Sequence, residues 1–341
     1  MGLFRRPQKV TALSPIAEFW QWWAAIGELR FTASIAKGDY GDVADDFTVR
    51  VAAIHPELQW ETSKGGSSQH ALCVTAAGVA ELRPLAERWF RAAPQANEVW
   101  EFSPARQRDP SVLTSLLDFS GVQVELGLSR FSIHVDDERQ LLHVKVFHPT
   151  FAALGENSSR QVTYLLLDWL LGEDDVERWV GGIATVLDDP LDSVPVDALL
   201  DVVVEMAARH IEPVWFLAES TTTAGNRLLV TSMRPLRWID HPLFDLHTEI
   251  RLPYSLQRDD GLPTVEALEA LRGYEDGLVR ALGERGLLVA FETFEGQRVF
   301  HVYTDSEDQN ARDIIDGFQS SGHATKAHAL DPSWKHVRQF A

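Results

Sequence analysis

"LLVAFETFEGQRVFHVYTD", residues 287–305, places two apolar runs on either side of Glu295-Gly296. β-Branched and aromatic runs around a two-residue turn containing glycine read as a β-hairpin. Pairing Phe294 with Gln297 sets Phe291 opposite Phe300 and Val289 opposite Val302. Facing residues of an antiparallel pair point the same way, so these four form one side, the predicted core side. Leu288, Ala290, Glu292, Val299, His301 and Tyr303 then form the other. A single-residue bulge inverts the assignment, and Glu is not an ideal residue for a primed turn.

The surroundings of the hairpin complete a pattern. "LHTEIRL" (246–252) alternates strictly, with Leu246, Ile250 and Leu252 inward and His247, Glu249 and Arg251 outward. A helix follows, with Val265, Leu268, Leu271, Leu278 and Leu282 on one face and Gly286 as its expected end. After the hairpin, Ser306 and Gln309 suggest a capping box. Ala311, Ile314, Ile315 and Phe318 form the stripe of a second helix, which Gly322 is expected to close, and "HATKAHAL" is a last strand. The order is β-α-β-β-α-β, the ferredoxin-like split arrangement, with both helices predicted on one face of a four-stranded antiparallel sheet. In that order the first and third strands are neighbours. His247, Glu249, Arg251, Glu292, His301 and Tyr303 are therefore the candidate binding face, on the side away from the helices.

Earlier segments predict an α+β, multi-domain chain: an N-terminal α+β domain (1–110), a second α+β domain (111–212), a strand-rich connector (213–240) and the ferredoxin-like domain (241–341). Ser14-Pro15 starts the first helix, whose Ile16, Phe19, Trp20, Trp23 and Ile26 recur at helical spacing as buried packing. Strands are predicted at 57–62 and 69–75 around "SKGGSS", and at 130–136 and 140–147 around "DDER".

Composition bounds the function. The 341 residues carry a net charge of −19, and the acidity is spread along the chain. Such a surface repels phosphate backbones, which argues against direct nucleic-acid binding and leaves a basic protein partner as an option beside simple solubility. The single cysteine, Cys73, excludes an intramolecular disulfide and a cysteine zinc cluster and points to a reducing, cytoplasmic location. No apolar run is long enough to cross a bilayer, and the basic start with its Gly2 is not followed by a signal-type apolar core. No nucleotide-binding loop, zinc-protease, nucleophile-elbow or EF-hand pattern is present, so no catalytic residue, metal or cofactor is assigned. The spacings of His70 with Cys73, His143 with His148 and His241 with His247 fall short of a ligand set. "GEDDVE" (172–177) reads as a helix start.

"GLLVAFETFEGQRVFHVYTDS", the helix after it and "DPSWKHVRQF" resemble an uncharacterised bacterial family, a domain of unknown function. That family is itself similar to RraB-type regulators of ribonuclease E, small acidic ferredoxin-like proteins that bind and inhibit the nuclease. The resemblance covers roughly residues 235–340. "FWQWW", "VTAAGVAELRPLAERWFRAAP" and "LLLDWLLGE" resemble a region of related uncharacterised proteins. The resemblance implies the fold and a non-catalytic, protein-binding role, and it carries no catalytic residues. The candidate face is open to three readings: a solvated sheet surface, a surface packed on the rest of the chain, or a site for a small ligand, where His, Glu and Tyr could do acid–base work.

Overall fold

The computed structural model describes residues 13–119, 121–209, 213–318 and 324–341. Gly2 and Gly322 lie outside the described residues. The chain is α+β and divides into two compact units after Ala105.

In the first unit, Ser14 caps the helix Pro15–Trp22 by accepting from Ala17 N (3.3 Å). The helix passes through a π turn, Trp23–Gly27, into Glu28–Lys37. This turn changes which side chains face inward: Trp22 is buried with Phe19, Trp20 and Trp23, while Ile26, expected in the stripe, is exposed. Gly27 permits the packing, because a Cβ there would come within 2.9 Å of the Trp22 ring. The rings join Phe31, Phe47, Trp89 and Trp100 in one core. Its sheet pairs Gln59–Lys64 antiparallel with His70–Thr75, which runs parallel to Trp100–Ser103.

The turn after the first strand is held by a carboxylate. Glu101 accepts from Gly66 N (2.6 Å), Ser67 N (2.9 Å), Ser67 Oγ (2.6 Å) and Ser68 N (3.0 Å).

The second unit holds a four-stranded sheet and a six-stranded one. The smaller sheet runs Val180–Val186, Leu141–Phe147, Arg130–Asp136, Val194–Pro195, and packs on the helices Glu156–Leu171 and Ala198–Arg209. The larger runs Val214–Thr221, Arg227–Arg234, Gly286–Phe294, Gln297–Thr304, Leu246–Pro253, Thr325–Leu330, with every neighbouring pair antiparallel. The expected four strands thus become six, because residues 213–240, read as a connector, contribute a hairpin to the same sheet.

The helices Val265–Leu282 and Gln309–Gly317 cover one face of this sheet and bury Leu271, Leu278, Leu282, Ala311 and Ile315 against Ile250, Phe300 and Val302. Two helix-end expectations change. Gly283, at positive φ, ends the first helix, while Gly286 opens the next strand, where a Cβ would meet Thr304 Cγ2 at 2.8 Å. Asp308, not Ser306, caps the second helix; Ser306 turns instead to Asp245.

The hairpin register shifts between Leu288 and Ala290, so Leu288 faces Val302 and joins the helix-side core. Val289, expected opposite Val302, packs with Met233, Ala290 and Tyr303 in a second cluster. That cluster is closed by Trp334, Val337 and Phe340 of the C-terminal segment and flanked by Leu236, Trp238 and Phe244. Of the three readings of the candidate face, the structure matches the one in which it packs on the rest of the chain.

Burial opposes the charge of Glu101, yet its hydrogen-bond donors hold the pKa at about 2 against an ordinary 4.5. The folded state then binds its proton less readily than the unfolded state, so this stabilisation is complete above about pH 4.5 and is lost as the pH falls toward 2. Replacing Glu101 with Gln is expected to cost roughly 1–2 kcal/mol at neutral pH, allowing for solvent screening. Urea denaturation across this range should show the gap closing as the pH falls; a gap that does not change with pH would contradict the role given to the carboxylate.

Candidate functional site

The hairpin that sets the site turns at Glu295 and Gly296, with φ of 45° and 75°. Both values are positive, as a primed turn requires. Glu tolerates the position because its carboxylate accepts from Thr222 Oγ1 and Asn226 Nδ2, each at 2.9 Å. Gly296 N also donates to Gly261 O (3.1 Å), and Tyr254 N to Gly296 O (2.8 Å). The neighbouring hairpin and the 254–261 loop therefore fix the turn, and with it the register beyond.

That register brings the predicted residues together. His247 pairs with Tyr303, Glu249 with His301 and Arg251 with Val299 across neighbouring strands, while Ala290 and Glu292 lie on the far side of the same central strand. His247 Nε2 and His301 Nδ1 are 3.0 Å apart, and His301 Nε2 lies 3.5 Å from Glu292 Oε2. The chain of bonds is satisfied when His247 Nε2–H donates to His301 and His301 Nε2–H donates to Glu292. Glu249 and Arg251 pair with each other at 2.6 Å toward the solvent side, Arg251 being exposed.

The six residues do not form one accessible surface. His247, His301 and Tyr303 are 3%, 4% and 0% exposed. The Tyr303 hydroxyl donates to Asp331 Oδ2 at 2.6 Å. Asp331 also accepts from Lys335 N (2.8 Å) and His336 N (2.9 Å), which anchors the turn Lys335–Phe340. Trp334 stacks on Tyr303 with ring centroids 4.5 Å apart, His336 stacks on His247 at 4.7 Å, and Phe340 abuts His301 at 5.2 Å. Trp334 Nε1 donates to Phe244 O (2.9 Å), and Ser232 Oγ to Phe340 O (3.1 Å). Trp334 sits at φ 51°, a left-handed conformation that this packing holds in place.

The histidines and the tyrosine stand out in the sequence, but their lid does not. Asp331, Trp334, His336 and Phe340 come from a ten-residue segment with no strand or helix period; its only signal was the concentration of polar-tipped and aromatic side chains in "DPSWKHVRQF".

Electrostatics match a packed network. Burial, then the neighbouring imidazoles of His301 and His336, push the pKa of His247 down to about 3. Burial pushes the Tyr303 phenol well above its ordinary value, and its bond to Asp331 adds to this. Burial opposes the charge of Asp331, but the Tyr303 hydroxyl and the two backbone donors outweigh it and keep the carboxylate ionised below the usual range. A tyrosine raised in this way is a hydrogen-bond donor rather than a base, and the histidine is held neutral. A substrate could reach either only after the C-terminal turn had moved.

Among the described residues, no group of three or more His, Cys, Asp or Glu is placed to hold a metal. Cys73 is buried, and His148 bonds to Thr150 and to Glu125 O. The carboxylates of "GEDDVE" begin the helix Glu173–Trp179.

His247 yields a signed prediction. Its folded pKa lies below the unfolded 6.5, so the unfolded state binds more protons between about pH 6.5 and 3. Stability is full above pH 6.5 and falls as the solution is acidified, by at most about 1.4 kcal/mol per pH unit from this group. His247→Phe should be less stable at pH 7.5 through the lost bond to His301, but should show a shallower decline down to pH 5. Parallel declines in urea titrations would show that His247 is not the buried neutral group described.

No family model and no curated protein matches the chain.

Proposed function

We propose that the chain is a non-catalytic, cytoplasmic, protein-binding module, and that its contact element is the outer strand Val214–Thr221. The carrying observation is the composition of an open sheet edge. Among the described residues this strand pairs on one side only, with Arg227–Arg234. Val214, Trp215, Phe216 and Leu217 are 62%, 51%, 43% and 63% exposed. Edge strands usually carry charges or bulges that prevent pairing with another chain. Here four consecutive large apolar residues stand beside unpaired backbone donors and acceptors, the arrangement used when an extended segment adds as a further strand.

The occupant that fits is an extended, basic segment of another protein. Backbone bonds and apolar side chains would seat it on the edge, and the net charge of −19 would draw in its lysines and arginines. The order of the last four sheet strands, second, third, first, fourth by sequence, supports reading residues 241–341 as a ferredoxin-like βαββαβ domain. That reading and the acidity support kinship with the RraB-type regulators, and so a regulatory role. Among the described residues, no helix is long and apolar enough to cross a membrane. Catalysis at the candidate face draws little support, since His247, His301 and Tyr303 are buried beneath the chain's own C-terminal turn.

The test uses the full chain and a Trp215→Lys/Leu217→Lys variant as baits for a bacterial lysate at low and moderate salt. A protein retained by the wild type and reduced at least tenfold with the variant is purified and added back during hydrogen–deuterium exchange. Protection of the 214–221 amides, weakening with salt, is the expected result. Equal capture by both baits, protection confined elsewhere, or sedimentation showing that the wild type pairs with a second copy through this edge would overturn the reading.

A further inference from the structure

The C-terminal turn meets the sheet through a stack of imidazoles. His336 of the turn lies flat on His247 at 4.7 Å, with 9° between the ring planes, and His247 lies on His301 at 5.2 Å, with 18° between them. His247 and His301 are buried and share one hydrogen bond, Nε2 to Nδ1 at 3.0 Å. One nitrogen of that bond must donate and the other accept, which the neutral pair satisfies. An added proton either sets two N–H groups face to face or charges His247 beneath the turn, away from water.

The groups around His247 offer its cation little. On its own strand Asp245 is engaged by Ser306, and Glu249 is paired with Arg251. His301 and Tyr303 face it from Gln297–Thr304, and Glu292 reaches His301 at 3.5 Å. The C-terminal segment brings His336 and Asp331; the Asp331 carboxylate accepts from the Tyr303 hydroxyl and two backbone N–H groups. Opposite His247 on Thr325–Leu330 stands the uncharged Ala329.

The piece able to yield is the turn. The two strands that carry the imidazoles, Leu246–Pro253 and Gln297–Thr304, are each bonded to a strand on both sides. Lys335–Phe340 belongs to no sheet and is tied by isolated bonds, those at Asp331 and those from Ser232 Oγ (3.1 Å) and Arg234 Nε (3.3 Å) to Phe340 O. It begins beyond Trp334, whose φ of 51° is costly for a residue with a side chain. A segment held in this way opens at less cost than the strands beneath it.

We infer that the C-terminal turn is an acid-released strap: protonation of His247 lifts Lys335–Phe340 away about Trp334 while the sheet beneath stays folded. At neutral pH the strap is seated; in acid the buried imidazoles and the Tyr303 ring meet water. The sign follows from linkage. Burial first, then His301 and His336, hold His247 at about 3 while the strap is seated, and water returns it toward its ordinary 6.5 once the strap lifts. The open form therefore binds more protons, and opening gains up to about tenfold per pH unit from about 6.5 down toward 3. The device does not depend on the outer-strand contact.

The experiment follows deuterium uptake of the full chain from pH 7.5 to 4.5, with rates corrected for the pH dependence of unprotected amides. The ratio of open to seated strap, read at Lys335 and His336, should rise at least tenfold between pH 6.5 and 4.5, while Gln297–Thr304 keeps its protection. His247→Phe leaves a ring for His336 to stack on but takes no proton there, so the rise should shrink at least threefold. If that variant does not fold, NMR of the wild type decides. The His247 ring should gain its proton over the same pH range in which the Trp334 indole N–H, bonded to Phe244 O in the seated form, changes its resonance. An opening ratio that ignores pH, an undiminished rise in His247→Phe, simultaneous loss of protection in strap and central strand, or protonation of His247 with the Trp334 indole unmoved would each overturn the proposal.

Discussion

The hydrogen bond from Tyr303 to Asp331 is the constraint on which the second unit's covered face depends. It joins the central strand of the sheet to the start of the C-terminal turn at 2.6 Å, with both groups buried. Asp331 then presents its remaining acceptor capacity to two backbone N–H groups, so one carboxylate fixes both the position and the direction of the turn. Once the turn is placed, Trp334, His336 and Phe340 fall onto Tyr303, His247 and His301. Without Asp331 the tyrosine hydroxyl would be a buried donor with no acceptor, and the aromatic cover would lose its anchor.

Two physical logics divide the molecule. The first unit is held by aromatic packing around Trp23, Phe31, Phe47, Trp89 and Trp100, with the Glu101 carboxylate organising one turn. The six-stranded sheet of the second unit has an apolar face under two helices and a face where buried polar groups are paired with one another. Paired groups of this kind specify geometry strongly, because each broken link leaves a partner unsatisfied in a region of low dielectric. That explains how residues resembling an acid–base set can serve as a structural joint.

Much of this was legible in the residues. The turn at Glu295-Gly296, the pairing of Phe291 with Phe300 and the in–out alternation from Leu246 to Leu252 all follow from period-two patterning. The meeting of His247 with His301 follows in turn from strand order. The bulge at Val289 did not, since Leu287, Leu288, Val289 and Ala290 are all apolar and their pattern fits either register. The union of residues 214–234 with the sheet was hidden for another reason: strand pairing is non-local, and composition does not name the neighbour. The C-terminal cover was hidden because a short turn has no period to read. Asp308 as a cap was missed because Ser306 offered a textually better motif, while in the fold Ser306 is engaged by Asp245.

The C-terminal turn is an integral part of the sheet's covered face. Native-state hydrogen exchange at the backbone amides of Lys335 and His336 tests it most directly. At neutral pH both should exchange as slowly as the central strand Gln297–Thr304, opening only when the sheet unfolds, and Tyr303→Phe should accelerate them well ahead of that strand. Exchange within seconds in the wild type, with the central strand still protected, would show a turn that comes and goes and a histidine–tyrosine face open to solvent.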